Sequence, residues 1–346
     1  MSNRVFVLDL LSVPVLLLTK IPDGRDYMRT FITVICCFIS LSLLSCAPSE
    51  KGLDNGEFTA VLNGVDIFYA IHGHGPVCFA LPNSWGICHH ALRVLYRPLE
   101  EHVTMVYFDP RGMGQSADIQ DDADMSMGTI RKDLEALRVH LGLESVNIIG
   151  WSNGGMNLLL FAVEYPETIE AAIVVHSIAH FGDEDMKLFT EQHPELYKQY
   201  GVFMTIMASD SLSNEEKETM YRDFACTVSF HSMLADREKD MGMLNEFFRG
   251  NALSWKHYKY SNEIDSPAFD ARDYLSRITA PTLVIAGAKD LIPQSKAKEI
   301  SDGIENATFV LFENSGHFAP FEEKEKFVDT VVTFIQGSKK QAVPQH

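Results

Sequence analysis

Gly150-Trp151-Ser152-Asn153-Gly154 decides the fold. Val146-Asn147-Ile148-Ile149 before it is a short apolar run of strand type, and Gly154 to Ala162 after it has the composition of a buried helix. A serine on so sharp a strand-to-helix turn is presented to a substrate, which a hydroxyl requires before it can act as a nucleophile. Glycines two residues to either side let strand and helix approach closely. The spacing alone is a weak signal in a chain with 22 glycines. The strand before it and the helix after it make it specific.

Outward from this turn, short apolar runs alternate with helical patterns. A hairpin comes first, with Phe58–Leu62 and Val65–Ala70 joined by Asn63-Gly64, the favoured type I′ turn. Strand-like runs follow at Val77–Leu81, Val103–Phe108, Val146–Ile149, Ala171–Val175, Thr282–Ala286 and Thr308–Phe312. Ile130–Leu141 and Lys324–Ile335 carry helical periodicity. Such alternation predicts an α/β fold, a mostly parallel sheet with helices on both faces. Between residues 178 and 269 the alternation breaks into a stretch rich in Met, Phe, Glu and Lys, read as an inserted helical cap. The core is thus expected in two parts, 57–177 and 270–337, with a flexible tail at 338–346.

A serine nucleophile needs a base, and the base needs an orienting acid. In a doubly wound sheet both must sit where loops leave the carboxyl ends of strands. Asp290 follows the strand that ends in Ile285-Ala286-Gly287, and His317 follows the last strand in Ser315-Gly316-His317-Phe318. Each residue alone has a structural explanation. In the order Ser152, Asp290, His317, each at a strand end, they form a candidate catalytic triad.

These segments resemble the α/β-hydrolase superfamily from Phe58 to about Gln336. Asp109-Pro110-Arg111-Gly112-Met113-Gly114-Gln115-Ser116 and the general layout are most similar to its proline iminopeptidase-like branch, and His72-Gly73-His74-Gly75-Pro76 resembles the turn into the third strand. One segment departs. That branch usually has His-Gly-Gly-Pro-Gly after the third strand, supplying an oxyanion-hole amide, where this chain has Leu81-Pro82-Asn83-Ser84-Trp85-Gly86. Pro82 has no N–H, so the expected donors are the amides of Ser84 and Asn153, with Asn83 as the alternative to Ser84. The resemblance implies an acyl-enzyme hydrolase needing no metal or organic cofactor. Serine at 152, where dehalogenase and epoxide hydrolase relatives carry Asp, disfavours those chemistries.

The N-terminus reads as an address. Arg29 precedes an apolar run of signal-peptide length that ends in Leu43-Leu44-Ser45-Cys46. This resembles a bacterial lipoprotein signal (28–45), which implies cleavage before Cys46, lipidation of its thiol and a short tether at 46–56. An uncleaved anchor or an ordinary secretory signal are the alternatives. All three place the catalytic part outside the cytoplasm, and the lipoprotein reading places it lipid-anchored in the bacterial cell envelope. Residues 1–27, interrupted by Asp9 and Pro14, fit none of these and read as a misplaced gene start.

A formal charge of −18 opposes binding of a polyphosphate and excludes non-specific nucleic-acid binding. Of six cysteines, only Cys78, Cys88 and Cys226 fall in the globular part, with no metal or redox spacing. A disulfide between Cys88 and Cys226 is left open. Asp109 and Arg111 read as parts of a structural turn. Adjacent His89 and His90 diverge by about 100° on a helix and do not face one ion. Met186, Phe203, Met204, Met207, Phe224, Met233, Phe247 and Phe248 are read as helix core before acyl pocket. Glu191, Glu195, Glu246 and Glu263 are the carboxylates that could meet a substrate amino group. The expected activity is hydrolysis of a carboxylic ester, lactone or amide of a small molecule. The alternatives are a proline iminopeptidase-like aminopeptidase and a non-catalytic envelope ligand-binding protein. No protein partner is inferable.

Overall fold

The computed structural model describes residues 52–249 and 253–341. The N-terminal signal, Cys46 and the final residues 342–346 lie outside the described residues. Eight strands form one sheet: β1 Gly56–Leu62, β2 Val65–Gly73, β3 Val77–Ala80, β4 Thr104–Phe108, β5 Val146–Trp151, β6 Ile169–Val175, β7 Thr282–Gly287 and β8 Ala307–Phe312. Their spatial order is β1-β2-β4-β3-β5-β6-β7-β8. The β1–β2 hairpin turns at Asn63-Gly64, and β2 joins β4 antiparallel. Every pairing from β4 to β8 is parallel, as the sequence predicts.

Alternate residues of the central strands feed two cores. Cys78, Met105, Ile149, Trp151 and Ile173 face one side, with the helices His89–Tyr96 and Lys324–Gln341. Phe79, Val106, Ile148, Ala172 and Val174 face the other, with Met127–His140, Asn153–Glu164 and Gln294–Gly303. Burial on both faces is why these strands read as continuous apolar runs.

The chain leaves β3 for β4 on one side and then crosses to β5 on the other. This reversal makes a crevice at the carboxyl ends of β3 and β5, the place where open α/β sheets bind ligands. The loop after β3 holds Pro82–Trp85, and the turn after β5 holds Ser152.

Between β6 and β7 lie the helices Asp183–Gln192, Pro194–Met207, Asn214–Phe224, Arg237–Phe247 and Trp255–Tyr260. They are stitched by aromatic packing, with Phe203 stacked on Phe224 at 4.0 Å and edge-on to Trp255. Met186 is exposed. The tail expected at 338–346 needs correction in its first four residues, because the last helix runs on through Gly337 to Gln341. No atom crowds Gly337, Ser338 returns a hydrogen bond to the Phe334 carbonyl at 3.0 Å, and the Lys and Gln residues beyond are good helix formers. Cys78, Cys88 and Cys226 are free thiols, so Cys88 and Cys226 are not joined.

Candidate active site

Ser152 sits between β5 and the helix Asn153–Glu164 with φ 55° and ψ −123°. A non-glycine residue at positive φ is strained, and such strain recurs at functional sites. The turn is enforced by close packing. A Cβ on Gly150 would lie 2.5 Å from the Gly154 carbonyl oxygen, one on Gly154 2.8 Å from that of Leu81, and one on Gly155 2.6 Å from Ser177 Cβ. The Ser177 hydroxyl donates to the Ser152 carbonyl at 2.8 Å.

Asp290 and His317 are brought together. His317 Nδ1 lies 2.8 Å from Asp290 Oδ2, and the Ile292 amide donates to Oδ1 at 3.0 Å. Burial alone would push the Asp290 carboxyl upward. The His317 charge and the hydrogen bonds from His176 and His317 outweigh it and hold the carboxyl well below the usual range. No hydrogen bond joins Ser152 to His317 among the described contacts. Trp151 links them instead, donating its indole N–H to the His317 carbonyl at 2.8 Å. Catalytic hydrogen bonds are commonly long in a ligand-free enzyme and tighten with substrate.

The third-strand loop corrects one expectation. The Ser84 amide donates to Asn153 Oδ1 at 2.7 Å, and the Ser84 hydroxyl donates to the same oxygen at 2.8 Å. It therefore has no hydrogen left for an oxyanion. The Trp85 amide is likewise taken, by Asn83 Oδ1 at 2.8 Å. The alternative, Asn83, is 1% exposed, and its side-chain nitrogen has no partner among the described residues. The Asn153 backbone N–H opens the helix after Ser152 and meets no acceptor among the described contacts. Asn153 thus has a side-chain task that the motif did not reveal: it ties the loop after β3 to the turn, and its amide nitrogen reaches Ser261 of the cap at 3.5 Å.

Sequence reasoning missed His176. It follows β6 with φ 50°, and its Nδ1 lies 2.9 Å from Asp290 Oδ2. The usable signal was its place at a strand end beside β5 and β7.

The Asp109–Ser116 segment is a structural turn. Asp109 accepts the His89 and Gln115 amides at 2.8 and 3.0 Å and pairs with His89 Nδ1 at 2.8 Å. A Cβ on Gly114, at φ 53°, would collide with the Asp109 carboxylate. Arg111 grips Asp133 through two nitrogens and also reaches Asp124. His90 points elsewhere, towards the Glu246 carbonyl at 3.4 Å.

Two groups hold donor atoms within 4.8 Å of one another, close enough for one ion: Cys88, His89 and Asp109, and His176, Asp290 and His317. In both, the imidazole Nδ1 atoms already face the carboxylate. Burial pushes the Cys88 thiol up to about 11, against the thiolate that a metal needs.

The site is closed over. Ser152 is 9% exposed, and the side chains of His317 and Asp290 are 1% and 2% exposed. The cap segment Met233–Ala235 lies against the His317 loop, where the His317 amide donates to the Met233 carbonyl at 2.9 Å. Phe230 and Phe247 pack on Trp151. A cleft of about 590 Å³ between cap helices is lined by Val202, Phe203, Ile206 and Phe224. A second of about 510 Å³ is lined by Gly112, Met113, Glu218 and Arg222. Neither reaches Ser152 or His317. Glu191, Glu195 and Glu263 are exposed, and Glu246 is paired with Arg97 at 3.1 Å.

The sequence profile of the alpha/beta hydrolase fold matches residues 77–324. A proline iminopeptidase of Saccharolobus solfataricus is 25% identical over 283 residues, spanning 79% of this chain and 89% of that protein. Among solved structures, an alpha/beta fold family hydrolase from Bacillus anthracis aligns with a TM-score of 0.65 at 22% identity, covering 82% of this chain and 99% of the other. The enol-lactonase from Burkholderia xenovorans aligns with a TM-score of 0.63 at 21% identity, covering 81% and 100%. With the profile spanning well over half its length, this chain belongs to the alpha/beta hydrolase fold family and is a hydrolase.

Proposed function

We propose that the protein is a serine hydrolase of carboxylic esters or lactones of small molecules. The observation that carries this reading is the strained Ser152 turn after β5, two strands from Asp290 after β7 and three from His317 after β8, whose side chains already meet at 2.8 Å. In this reading Ser152 Oγ attacks the carbonyl carbon while His317 Nε2 takes its proton. Asp290 holds the imidazole with its proton on Nδ1 and stabilises the imidazolium. The Asn153 backbone N–H and, in place of the backbone amide expected at 83, the unpartnered Asn83 side-chain amide meet the developing oxyanion. His317 then protonates the leaving group, and water attacks the acyl-enzyme with His317 as base.

A proline iminopeptidase-like activity is the second reading, supported by the similarity to the Saccharolobus solfataricus protein. Against it, the four glutamates offered for a substrate amine are exposed or paired with arginine. A screen of p-nitrophenyl acyl esters and lactones beside proline β-naphthylamide separates the two. Ester turnover with no cleavage of the amide supports the first reading, and the reverse overturns it. A ligand-binding protein without turnover is the remaining alternative, and hydrolysis of neither class would favour it.

We also propose that Cys46 is lipidated and anchors the enzyme in the cell envelope. This rests on Leu43-Leu44-Ser45-Cys46 alone. Incorporation of labelled palmitate, lost in Cys46→Ser, is the expected result; equal labelling of the variant contradicts it.

A further inference from the structure

Four neighbouring strands, β5 to β8, end along one edge of the sheet, and each is followed by a residue with catalytic chemistry: Ser152, His176, Asp290 and His317. Three of these have roles above; His176 has none. Among the described non-glycine residues only Asn63, Ser152 and His176 have positive φ, and Asn63 occupies a hairpin turn that demands it. The two remaining strained residues therefore stand at the ends of adjacent strands, β5 and β6.

The hydrogen bonds around His176 define its state. Its Nε2 accepts the Ala319 amide proton at 3.3 Å, so the ring proton is on Nδ1 and is donated to Asp290 Oδ2 at 2.9 Å. The same oxygen receives His317 Nδ1, while Oδ1 is held by the Ile292 amide. The two imidazoles on Asp290 are not interchangeable. His176 has both nitrogens engaged and its side chain fully buried, whereas His317 Nε2 has no partner among the described residues. The titratable groups facing His176 are Asp290 and His317. An Nε2 that accepts the Ala319 amide carries no proton, so the ring is neutral, and burial pulls His176 below the usual histidine range despite Asp290.

We propose that His176 is a positioning residue: it locks the Asp290 carboxylate and shares its charge, which limits how strongly Asp290 favours protonated His317. The proposal rests on the Ser152–His317 reading above. Removing the His176 donor leaves Asp290 interacting more strongly with His317. Imidazolium is then favoured, and the free base appears only at higher pH.

The test compares His176→Phe, which removes the donor, with His176→Asn, whose side-chain amide can donate from near the Nδ1 position and which tolerates positive φ. For kcat/KM against pH, the Phe variant is expected to move the acid limb up by about half a unit or more, with kcat lowered about tenfold and KM little changed. The Asn variant is expected to keep the wild-type profile. A Phe variant whose profile superimposes on the wild type overturns the proposal. Should that variant fail to fold, nitrogen-15 NMR of the wild-type imidazoles decides. His176 locked with its proton on Nδ1 from about pH 5 to about pH 9 supports the proposal, and a His176 that titrates in that range overturns it. A wild type that hydrolyses nothing removes the catalytic reading, while the NMR result still establishes whether His176 is a neutral donor to Asp290.

Discussion

Two buried aspartates in this molecule are each paired with histidine at 2.8 Å, and only one of them belongs to the candidate active site. Asp109 meets His89 Nδ1 and two backbone amides. Asp290 meets His317, His176 and one backbone amide. An Asp–His pair is therefore not itself a catalytic signature. Around Asp109 the bonds close its own turn at Gln115 and hold the start of the His89 helix, and the glycine that the carboxylate demands belongs to the same turn. Around Asp290 the partners come from the ends of β6 and β8, and one of them, His317, has an Nε2 with no partner among the described residues. The difference is whether the pair leaves a base with something to do.

The largest expected effect sharpens this contrast. Asp290→Asn should lower kcat by about 10⁴-fold with the fold retained, since the imidazole loses its required tautomer and charge partner. Asp109→Asn should leave kcat of the folded enzyme within about threefold and cost instead about 1–3 kcal/mol of stability, read by denaturant titration. A collapse of kcat in the second variant would erase the distinction. Next in size, Asn83→Ala should lower kcat by about 10²-fold, as loss of an oxyanion donor does. Ser84→Ala removes only a hydroxyl whose partners are Asn153 and Ser261, and steady-state kinetics should show a far smaller loss.

The smallest effect concerns the join between cap and core. Glu322 accepts the Ala235 and Phe318 amides at 2.6 and 3.1 Å, bridging the cap segment and the His317 loop. Burial pushes its carboxyl up to about 7. A carboxyl raised in the folded state contributes stability that is complete below its unfolded value of 4.5 and is lost as pH rises through about 7. Glu322→Gln should flatten that decline in a Tm-against-pH series, and an unchanged slope between about pH 4.5 and about pH 7 would contradict it.

Much of this arrangement is legible in the sequence because parallel strands buried on both faces must be apolar runs, and because sharp turns need glycine. Ser152, Asp290 and His317 could be named from strand ends alone. His176 also follows a predicted strand, but Val174-Val175-His176-Ser177 carries no glycine and leads into the helical insertion, so nothing in the sequence pairs it with Asp290. The engagement of the Ser84 amide was also invisible. Its partner, Asn153, lies 69 residues away and reaches it only once β3 and β5 are paired. The polar composition beyond Gly337 suggests fraying, whereas one face of that helix is anchored by Phe327, Val331 and Ile335.

The most direct test of the central claim is labelling of the domain from Gly52 onward with a fluorophosphonate, followed by mass mapping of the adduct. The account predicts a single adduct on Ser152, absent in Ser152→Ala and formed far more slowly in Asp290→Asn. Labelling that persists in Ser152→Ala, or a folded wild type that takes up no probe, would contradict it.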